Sequence, residues 1–440
     1  MVSLAMEMAA SRLLGNYFGT SNLVWASIIG LILIYLTAGY FLGGSWADRS
    51  PKQITFFKIL AWAALATGLI PLIARPILRL AASAFDDLQL GVLVGSFTSV
   101  MILFIIPVTL LGMASPFAIR LSIRDAESAG KVSGRIYAIS TLGSFVGTFL
   151  PVLFLIPTIG TYRTFLVIGL ILLIFALAGI YLVNSWKGLL RFLWMPVIFI
   201  LLFLFGTPGT DKKTTGMIYE GESAYNYIQV LQQDDTTLLR LNEGQGVHSI
   251  YSPNTYLYNG PWEQVLSALF FNKAPVSPME INNAAIIGLA GGTTSRELFA
   301  VFPNIHVDGV EIDAKIIEVG LQYFAMENPN LNIIVQDGRW ALEKSSETYD
   351  IISIDAYRPP YIPWHMTTRE FFQSVYDHLA ADGFGQSLDL LYHGVDGLLD
   401  PALQRHGVRS SGNGFDAFAV NRLGQDRGGG GAVARHVRGF

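Results

Sequence analysis

Apolar blocks dominate the first half of the chain, and they constrain its fold more than any other feature. Residues 1–206 consist of such blocks separated by short polar joints, and most blocks approach the roughly 20 residues that a helix needs to cross a bilayer. Over the 440 residues, 52% are hydrophobic and only 14% are charged, which is too apolar for an ordinary soluble enzyme. The sequence therefore predicts a multi-pass α-helical domain over residues 1–208, bound to the lipid bilayer of the cell membrane.

About seven helices account for these blocks. Basic residues cluster in alternate joints, around Arg49, Arg124 and Lys187, and the positive-inside rule assigns these joints to the cytoplasm. Gly143 and Gly147 form a GxxxG motif, which predicts close packing of two helices. The expected spans are 4–19, 23–46, 55–74, 90–118, 136–157, 163–184 and 190–206.

Two charged residues, Glu7 and Arg12, lie within the first block. Charges inside a membrane are costly, so they are functional candidates by default and are usually paired. The simpler interpretation is an ion pair between them, or a pair with Asp48, that fixes the packing of the helices.

The chain changes character near residue 209. Residues 209–260 alternate apolar and polar side chains around turn-forming pairs, which predicts a small antiparallel β-unit. Residues 261–384 alternate apolar β-type runs with helical stretches. This alternation predicts a doubly wound, Rossmann-like α/β domain that binds ligands at the carboxyl ends of its strands.

Charge and composition exclude several classes of function. The net charge of -4 provides no basic field for nucleic acid, and the absence of cysteine excludes disulfides and thiol chemistry. The seven histidines are scattered without ligand spacing, so no metal site is expected.

A glycine-rich turn follows the first apolar strand of this domain. Gly288, Gly291 and Gly292 lie where glycine lets the backbone approach a ligand and where a helix N-terminus offers free N–H groups. Glu311 ends the next strand about twenty residues later, in position to accept hydrogen bonds from both hydroxyls of a ribose. Because no GK[ST] follows to hold a triphosphate, the spacing predicts a nucleoside site.

Two more carboxylates end the following strands. Asp337, followed by Gly338, is placed to accept a hydrogen bond from an adenine amino group, and Asp355 is placed beside the reactive part of such a ligand. Three carboxylates at three successive strand ends are hard to explain as solvated caps, because the strand ends of a doubly wound sheet meet at one crevice.

The stretch from about Leu239 to Gly383 resembles the spermidine synthase family through the order IG, RE, VEID, DG and DAYRPPYIPWHMTTREFF. The blocks MEMAASRLLGNYFG and GRIYAISTLGSFVGTFLP resemble its membrane-fused bacterial branch. The resemblance implies that Glu311 holds the ribose, that Asp337 contacts the adenine and that Asp355 helps to deprotonate an attacking amine.

This resemblance implies a transferase of polyamine biosynthesis that moves an aminopropyl group from decarboxylated S-adenosylmethionine to a small amine acceptor, without a metal. The transfer needs an uncharged amine to attack a carbon next to a sulfonium, so a carboxylate such as Asp355 must accept the proton. A homo-oligomer is left open.

Three departures from the family pattern concern the substrate. Gly291 replaces an aspartate that meets the aminopropyl end of the nucleoside, and Arg358 replaces an acid that would attract a polyamine. Pro261 and Trp262 replace a tyrosine–glutamine pair, although Glu263 follows. Such a site fits a less cationic acceptor. The further candidates for substrate binding are Glu263, Arg358, Tyr361 and His365, and His365 is also a candidate base.

Two alternative functions remain. An S-adenosylmethionine-dependent methyltransferase on the same scaffold would need donors near Gly291 and Arg296 for the methionine carboxylate. A transporter or sensor that only binds a nucleoside or a polyamine would give Glu7 and Arg12 a function.

The side of the membrane is a separate question. Seven crossings put the α/β domain opposite the basic joints, away from a nucleoside that is made in the cytosol. We therefore expect the last apolar block, 190–206, to turn back or to lie at the interface.

Residues 385–440 have an unusual composition, with no lysine, glutamate, isoleucine, threonine, methionine or tryptophan. This usage is typical of translation out of frame or of a disordered tail. We expect little ordered packing beyond about residue 384, so that the last strands of the sheet are missing.

Overall fold

A computed structural model of the chain describes residues 1–88, 91–123, 129–206, 209–244, 246–267, 277–356, 363–387, 416–421 and 433–438. The chain divides into two compact units, one of residues 1–214 and 220–227 and one of residues 215–219 and 228–440. The division lies close to the domain boundary that the sequence places after residue 208, but part of the first β-hairpin belongs to the helical unit.

The helical unit contains the apolar blocks. Four segments are long and apolar enough to cross a membrane: Asn22–Arg49, Gln53–Ala84, Gly91–Ser122 and Ala129–Leu190. Its helices are α1 Val2–Phe18, α2 Asn22–Arg49, α3 Gln53–Leu88, α4 Gly91–Gly112, α5 Ala114–Ser122, α6 Ala129–Leu150, α7 Ile156–Leu190 and α8 Trp194–Leu201, with π-helical turns at Pro151–Leu155 and Leu202–Gly206.

The segment Ala129–Leu190 is 62 residues long, about three times what a bilayer crossing requires. Its backbone leaves helical geometry at Gly160, where φ is 78° and ψ is 168°. After this break α7 runs antiparallel to α3, since a Cβ on Gly169 would meet the carbonyl of Ala64 and one on Gly179 would meet the ring of Phe57. The segment therefore consists of two helical arms, which lie at the positions of the separate blocks 136–157 and 163–184.

The last apolar block runs the length of the helical unit beside α3. The ring of Trp194 lies 5.9 Å from that of Trp62, a Cβ on Gly68 would meet the ring of Phe199, and Asp211 pairs with Arg75 at 3.1 Å. The block thus advances in step with α3 and ends at the opposite end of the unit. The expectation that it turns back is therefore wrong, and the alternative that it lies at an interface stays a prediction.

The charged residues Arg12 and Asp48 have defined partners. The guanidinium of Arg12 donates to the carbonyls of Ser223 at 2.8 Å and Tyr225 at 3.0 Å, and Asp48 pairs with Arg120 at 3.1 Å. The predicted pairing of Arg12 with Glu7 or Asp48 is therefore wrong.

The GxxxG motif behaves as its spacing predicts. A Cβ on Gly147 would lie 2.2 Å from the carbonyl oxygen of Met1, and one on Gly143 would lie 3.4 Å from the Met1 nitrogen. Only glycine allows α6 to approach the start of α1 this closely, so packing accounts for the motif.

The β-unit is a four-stranded sheet in the order β1-β2-β3-β4. The β2–β3 and β3–β4 pairs are antiparallel, as predicted. The strands are β1 Met217–Glu222, β2 Tyr227–Gln233, β3 Thr236–Leu241 and β4 Val247–Tyr251.

The α/β domain is built on a seven-stranded sheet in the order β11-β10-β9-β8-β5-β6-β7. Strands β5 to β9 pair in parallel, and apolar runs such as NAAII in β5 are buried on both faces. This confirms the doubly wound, Rossmann-like fold. The strands are β5 Asn283–Ile287, β6 His306–Glu311, β7 Leu331–Val335, β8 Tyr349–Ile354, β9 Leu379–Ser387, β10 Asp416–Asn421 and β11 Val433–Arg438; the helices are α9 Trp262–Ser267, α10 Thr293–Val301, α11 Ala314–Tyr323, α12 Gly338–Lys344 and α13 Arg369–Asp377.

The last strands of the sheet are present. β10 pairs antiparallel with β9 and with β11, so the expectation of little order beyond residue 384 is wrong for the backbone. Strand pairing depends on backbone N–H and C=O groups, and a short apolar run such as the one in DAFAVN is compatible with a strand. A biased composition therefore does not by itself prevent pairing.

Candidate nucleoside site

The candidate residues lie at one edge of the parallel sheet. Glu311 is the last residue of β6, Asp337 comes two residues after β7, and Asp355 directly follows β8. β6 and β7 lie on one side of β5, and β8 lies on the other side. The direction of winding therefore changes at the boundary between β5 and β8. Doubly wound sheets bind ligands at such a switch point, outside the carboxyl ends of the strands.

The turn after β5 depends on glycine at two positions. Gly288 has φ of 98°, and a Cβ there would lie 2.4 Å from the carbonyl oxygen of Asp355. Gly292 is the N-cap of α10 with φ of 77°. Both conformations are rare for residues that have a Cβ, so these glycines bring the ends of β5 and β8 together and open the N-terminus of α10.

Gly291 points toward the β-unit. Its N–H donates to Oγ of Ser249 at 2.8 Å. A Cβ on Gly291 would lie 2.9 Å from Cβ of Ser249 and 3.1 Å from the ring of Phe324. The position therefore has no room for an acidic side chain unless Ser249 moves.

Arg296, on the first turns of α10, holds backbone segments together. Its guanidinium donates to the carbonyls of Gly291, Phe324 and Ile250 and stacks 4.8 Å above the ring of Tyr251. A guanidinium with these partners has a structural role.

Glu311 lies against the glycine turn. Oε2 accepts a hydrogen bond from the N–H of Ala290 at 3.1 Å, and Oε1 accepts one from the N–H of Asp313 at 3.1 Å. The side chain is buried, and burial raises the pKa of this carboxyl despite the backbone hydrogen bonds. The N–H of Ile312 also donates to this carboxyl, and a carboxylate has about four acceptor sites, so about one remains for a ligand.

Asp337 caps α12 and faces the loop that precedes α13. Its Oδ1 accepts a hydrogen bond from the N–H of Trp340 at 3.1 Å, and its Oδ2 lies 3.0 Å from Nε2 of His365. The next residue, Gly338, allows close packing of α12, since a Cβ there would lie 2.3 Å from Cγ2 of Ile287.

Asp355 continues the edge of the sheet beyond β8. Its N–H donates to the carbonyl of Ile287 at 2.8 Å, which fixes its backbone beside the glycine turn. Its side chain is partly exposed. Asp355 and Gly288 therefore lie next to each other at the switch point.

Glu263 has a local structural role. Its carboxylate accepts hydrogen bonds from the N–H groups of Tyr258, Asn259 and Gly260, which closes the loop before α9. These hydrogen bonds account for the placement of Glu263 without a role in substrate binding. Arg358 and Tyr361 lie outside the described residues.

Some contributors to the site were not predicted. Ser249 reaches the glycine turn from the β-unit, and Arg339 donates to the carbonyl of His365 at 2.9 Å. No sequence motif connects these positions, because each contact joins segments that are distant along the chain. Within the parts of the chain that the structure describes, no cluster of three or more His, Asp or Glu side chains is arranged to hold a metal ion.

Comparisons with known proteins find similarity over part of the chain. Residues 269–392 match the spermine/spermidine synthase domain. Over this stretch the chain is similar to the spermine/spermidine synthase family. A probable polyamine aminopropyl transferase of Bifidobacterium longum is 37% identical over 169 residues, which cover 38% of this chain and 36% of that protein.

A polyamine aminopropyltransferase of Vibrio vulnificus is 28% identical over 200 residues, which cover 42% of this chain and 63% of that protein. A solved structure of a probable spermidine synthase from Corynebacterium glutamicum is 20% identical, with a TM-score of 0.34, over 40% of this chain and 64% of that one. The chain therefore spans about a third to two thirds of the curated relatives that it matches.

Proposed function

We propose that this protein is a membrane-anchored, spermidine synthase-like aminopropyltransferase that uses decarboxylated S-adenosylmethionine and an amine acceptor. The observation that carries the proposal is the placement of Glu311, Asp337 and Asp355 at the ends of three strands around one glycine turn, in a domain that matches the spermine/spermidine synthase domain.

The proposed reaction assigns a separate task to each carboxylate. The remaining acceptor site of Glu311 receives a ribose hydroxyl, and Asp337 receives the amino group of the adenine. The amine nitrogen attacks the aminopropyl carbon next to the sulfonium; the new C–N bond forms as the C–S bond breaks, and the thioether nucleoside leaves. Asp355 accepts the proton that the attacking amine loses.

Two observations count against intact S-adenosylmethionine, although Gly291 also leaves no acid for the aminopropyl end of the decarboxylated form. A methionine carboxylate would need donors near Gly291 and Arg296. The N–H of Gly291 already donates to Ser249, and the guanidinium of Arg296 already donates to three carbonyls. These contacts weaken the methyltransferase alternative.

The amine acceptor is proposed to carry less positive charge than a typical polyamine. A Cβ on Gly291 would contact Ser249 and Phe324, so this position offers no acid to an ammonium group. Glu263 directs its carboxylate to three backbone N–H groups. Few carboxylates remain to attract a second or third ammonium.

Membrane attachment is proposed from the four long apolar segments of the helical unit. The transport alternative loses support because the guanidinium of Arg12 binds backbone carbonyls within that unit. A structural contact accounts for this charge without a transported substrate.

The test compares Asp355→Asn with the wild-type protein, both as full chains in detergent. We expect Asp355→Asn to bind decarboxylated S-adenosylmethionine in calorimetry but to transfer its aminopropyl group at least about 100-fold more slowly. The exposed Asp377 provides a matched control, and Asp377→Asn keeps full activity. Tighter binding of intact S-adenosylmethionine by the wild-type protein, with methyl transfer, would contradict the proposal.

A further inference from the structure

His365 is the least expected neighbour of the nucleoside site. It lies in a 3-10 turn, Trp364–Met366, that precedes α13. Its Nε2 is 3.0 Å from Oδ2 of Asp337. A carboxylate can only accept hydrogen bonds, so the imidazole donates through an Nε2–H group.

The two oxygens of Asp337 have different partners. Oδ1 accepts from the N–H of Trp340 at the start of α12, and Oδ2 faces His365. Hydrogen bonds to both oxygens fix the plane of the carboxylate. One further acceptor site remains on each oxygen, and the side chain keeps 38% of its surface exposed.

The backbone of His365 is itself fixed to α12. Its carbonyl accepts a hydrogen bond from Arg339 at 2.9 Å, and the same guanidinium donates to Oγ1 of Thr368 at 3.2 Å. Met366, the next residue, is 2% exposed. Two contacts therefore hold His365 at Asp337: the hydrogen bond to its backbone carbonyl and the hydrogen bond from its imidazole ring.

We propose that His365 is a positioning residue that orients the Asp337 carboxylate toward the exocyclic amino group of the bound purine. The inference rests on the proposed function, because it takes Asp337 as the acceptor for the base. It adds that selection of the base depends on His365. This side chain comes from the loop before α13 and is not one of the three strand-end carboxylates.

The inference predicts a loss of selectivity rather than a general loss of binding. Without the imidazole, one N–H group alone holds Asp337, and its free acceptor sites no longer point in one direction. An amino-bearing base loses a well-directed hydrogen bond to a charged acceptor, whereas a 6-oxo base has no such bond to lose.

The experiment measures dissociation constants of 5′-methylthioadenosine and 5′-methylthioinosine for the full chain in detergent. We expect the wild-type protein to prefer the amino-bearing base, and His365→Ala to reduce this preference about tenfold by weakening only the adenosine compound. His365→Gln retains a donor for Oδ2 and should keep most of the preference. The control is His306→Ala, because His306 is an exposed residue at the opposite edge of the sheet.

The outcomes separate the inference from the proposed function. If His365→Ala keeps the wild-type preference, or if it weakens both compounds equally, the inference is wrong and the nucleoside site stands. If the wild-type protein binds neither compound, the nucleoside site is wrong, and the inference fails with it.

Discussion

Glu297 is a buried acid in α10, directly after Arg296. Its side chain is 1% exposed, and neither carboxyl oxygen has a hydrogen-bond partner in the part of the chain that the structure describes. Burial, together with the nearby charge of Glu263, raises its pKa to about 8, although Arg296 opposes this shift. The side chain is therefore neutral at pH 7.

This shift predicts how stability depends on pH. The folded-state pKa of about 8 lies above the ordinary value of 4.5, so the stabilising contribution of Glu297 is complete below about pH 4.5 and is lost as the pH rises through 8. Glu297→Gln should leave the melting temperature unchanged near pH 4, where this carboxyl is protonated in both states of the wild-type protein. Near pH 9 it should raise the melting temperature above that of the wild-type protein, by the equivalent of at most about 4–5 kcal/mol.

The measurement is a series of thermal unfolding curves in detergent across this pH range. Glu327 is exposed, and Glu327→Gln serves as the matched control with no pH-dependent difference. Parallel curves for the wild-type protein and Glu297→Gln at all pH values would show that Glu297 is ionised or solvated.

Single residues at the sheet edge were predictable from sequence to different degrees. The positions of Gly288, Glu311 and Asp355 followed from strand order, because parallel strands end at a common edge. The contact between His365 and Asp337 did not follow, since it depends on how the loop before α13 approaches α12. The cap formed by Glu263 could have been inferred from its place in the first turn of a helix.

The first β-hairpin shows how a single element is attached to the helical unit. Oε1 of Glu222 accepts hydrogen bonds from Asn16 at 2.8 Å and from Oγ1 of Thr161 at 2.9 Å, and Oε2 accepts one from the N–H of Thr161 at 2.7 Å. One carboxylate thereby joins β1 to the end of α1 and to the start of α7 after Gly160.

Glu222→Gln tests this attachment. An amide has one acceptor oxygen and one NH2 group, so at least one of the three donors would face another donor. We expect the free energy of unfolding of the helical unit to fall by about 1–3 kcal/mol and proteolysis within residues 209–227 to become faster. Exposed Glu280 provides the control, with Glu280→Gln unchanged in both measurements; equal proteolysis of Glu222→Gln and wild type would argue against the attachment.

Elements were predicted best where a pattern of side chains extends over many residues. The long apolar helices and strands β5 to β8 satisfied this condition. The strands β10 and β11 were missed, because the unusual composition after residue 384 was given more weight than the short apolar run in Asp416–Asn421. The path of the last apolar block, Trp194–Gly206, was misjudged because its expected turn was inferred from where the nucleoside is made, whereas its contacts with α3 cannot be read from the sequence.

At the scale of the whole molecule, the helical unit has two chemically different ends. Arg49, Arg120 and Lys187 lie near the ends of α2, α5 and α7, and the positive-inside rule assigns this end to the cytoplasm. At the opposite end, Arg75 pairs with Asp211, and Arg79 donates to the carbonyl of Asp211. Lys212 and Lys213 also lie at this end, next to Asp211, so the bias is a difference in the number of basic residues between the two ends.

Residues 209–214 lie at this second end, since Asp211 contacts both Arg75 and Arg79. Tyr17 at the end of α1 also donates to the carbonyl of Asp211 at 2.7 Å. The chain therefore leaves the helical unit on the side that the charge bias assigns outside the cytoplasm. Under the proposed function, this side lies away from a donor nucleoside that is made in the cytosol.

The absence of cysteine from all 440 residues makes this orientation directly testable. Gln53→Cys places a thiol at an exposed position beside the basic end, and Thr215→Cys places one at an exposed position just after residues 209–214. A membrane-impermeant maleimide added to intact cells should label Thr215→Cys, and it should label Gln53→Cys only after permeabilisation, because the positive-inside rule retains the basic joints in the cytoplasm. The cysteine-free protein is the control for background. Labelling of Gln53→Cys alone in intact cells would reverse the orientation and would place the nucleoside site in the compartment where its donor is made.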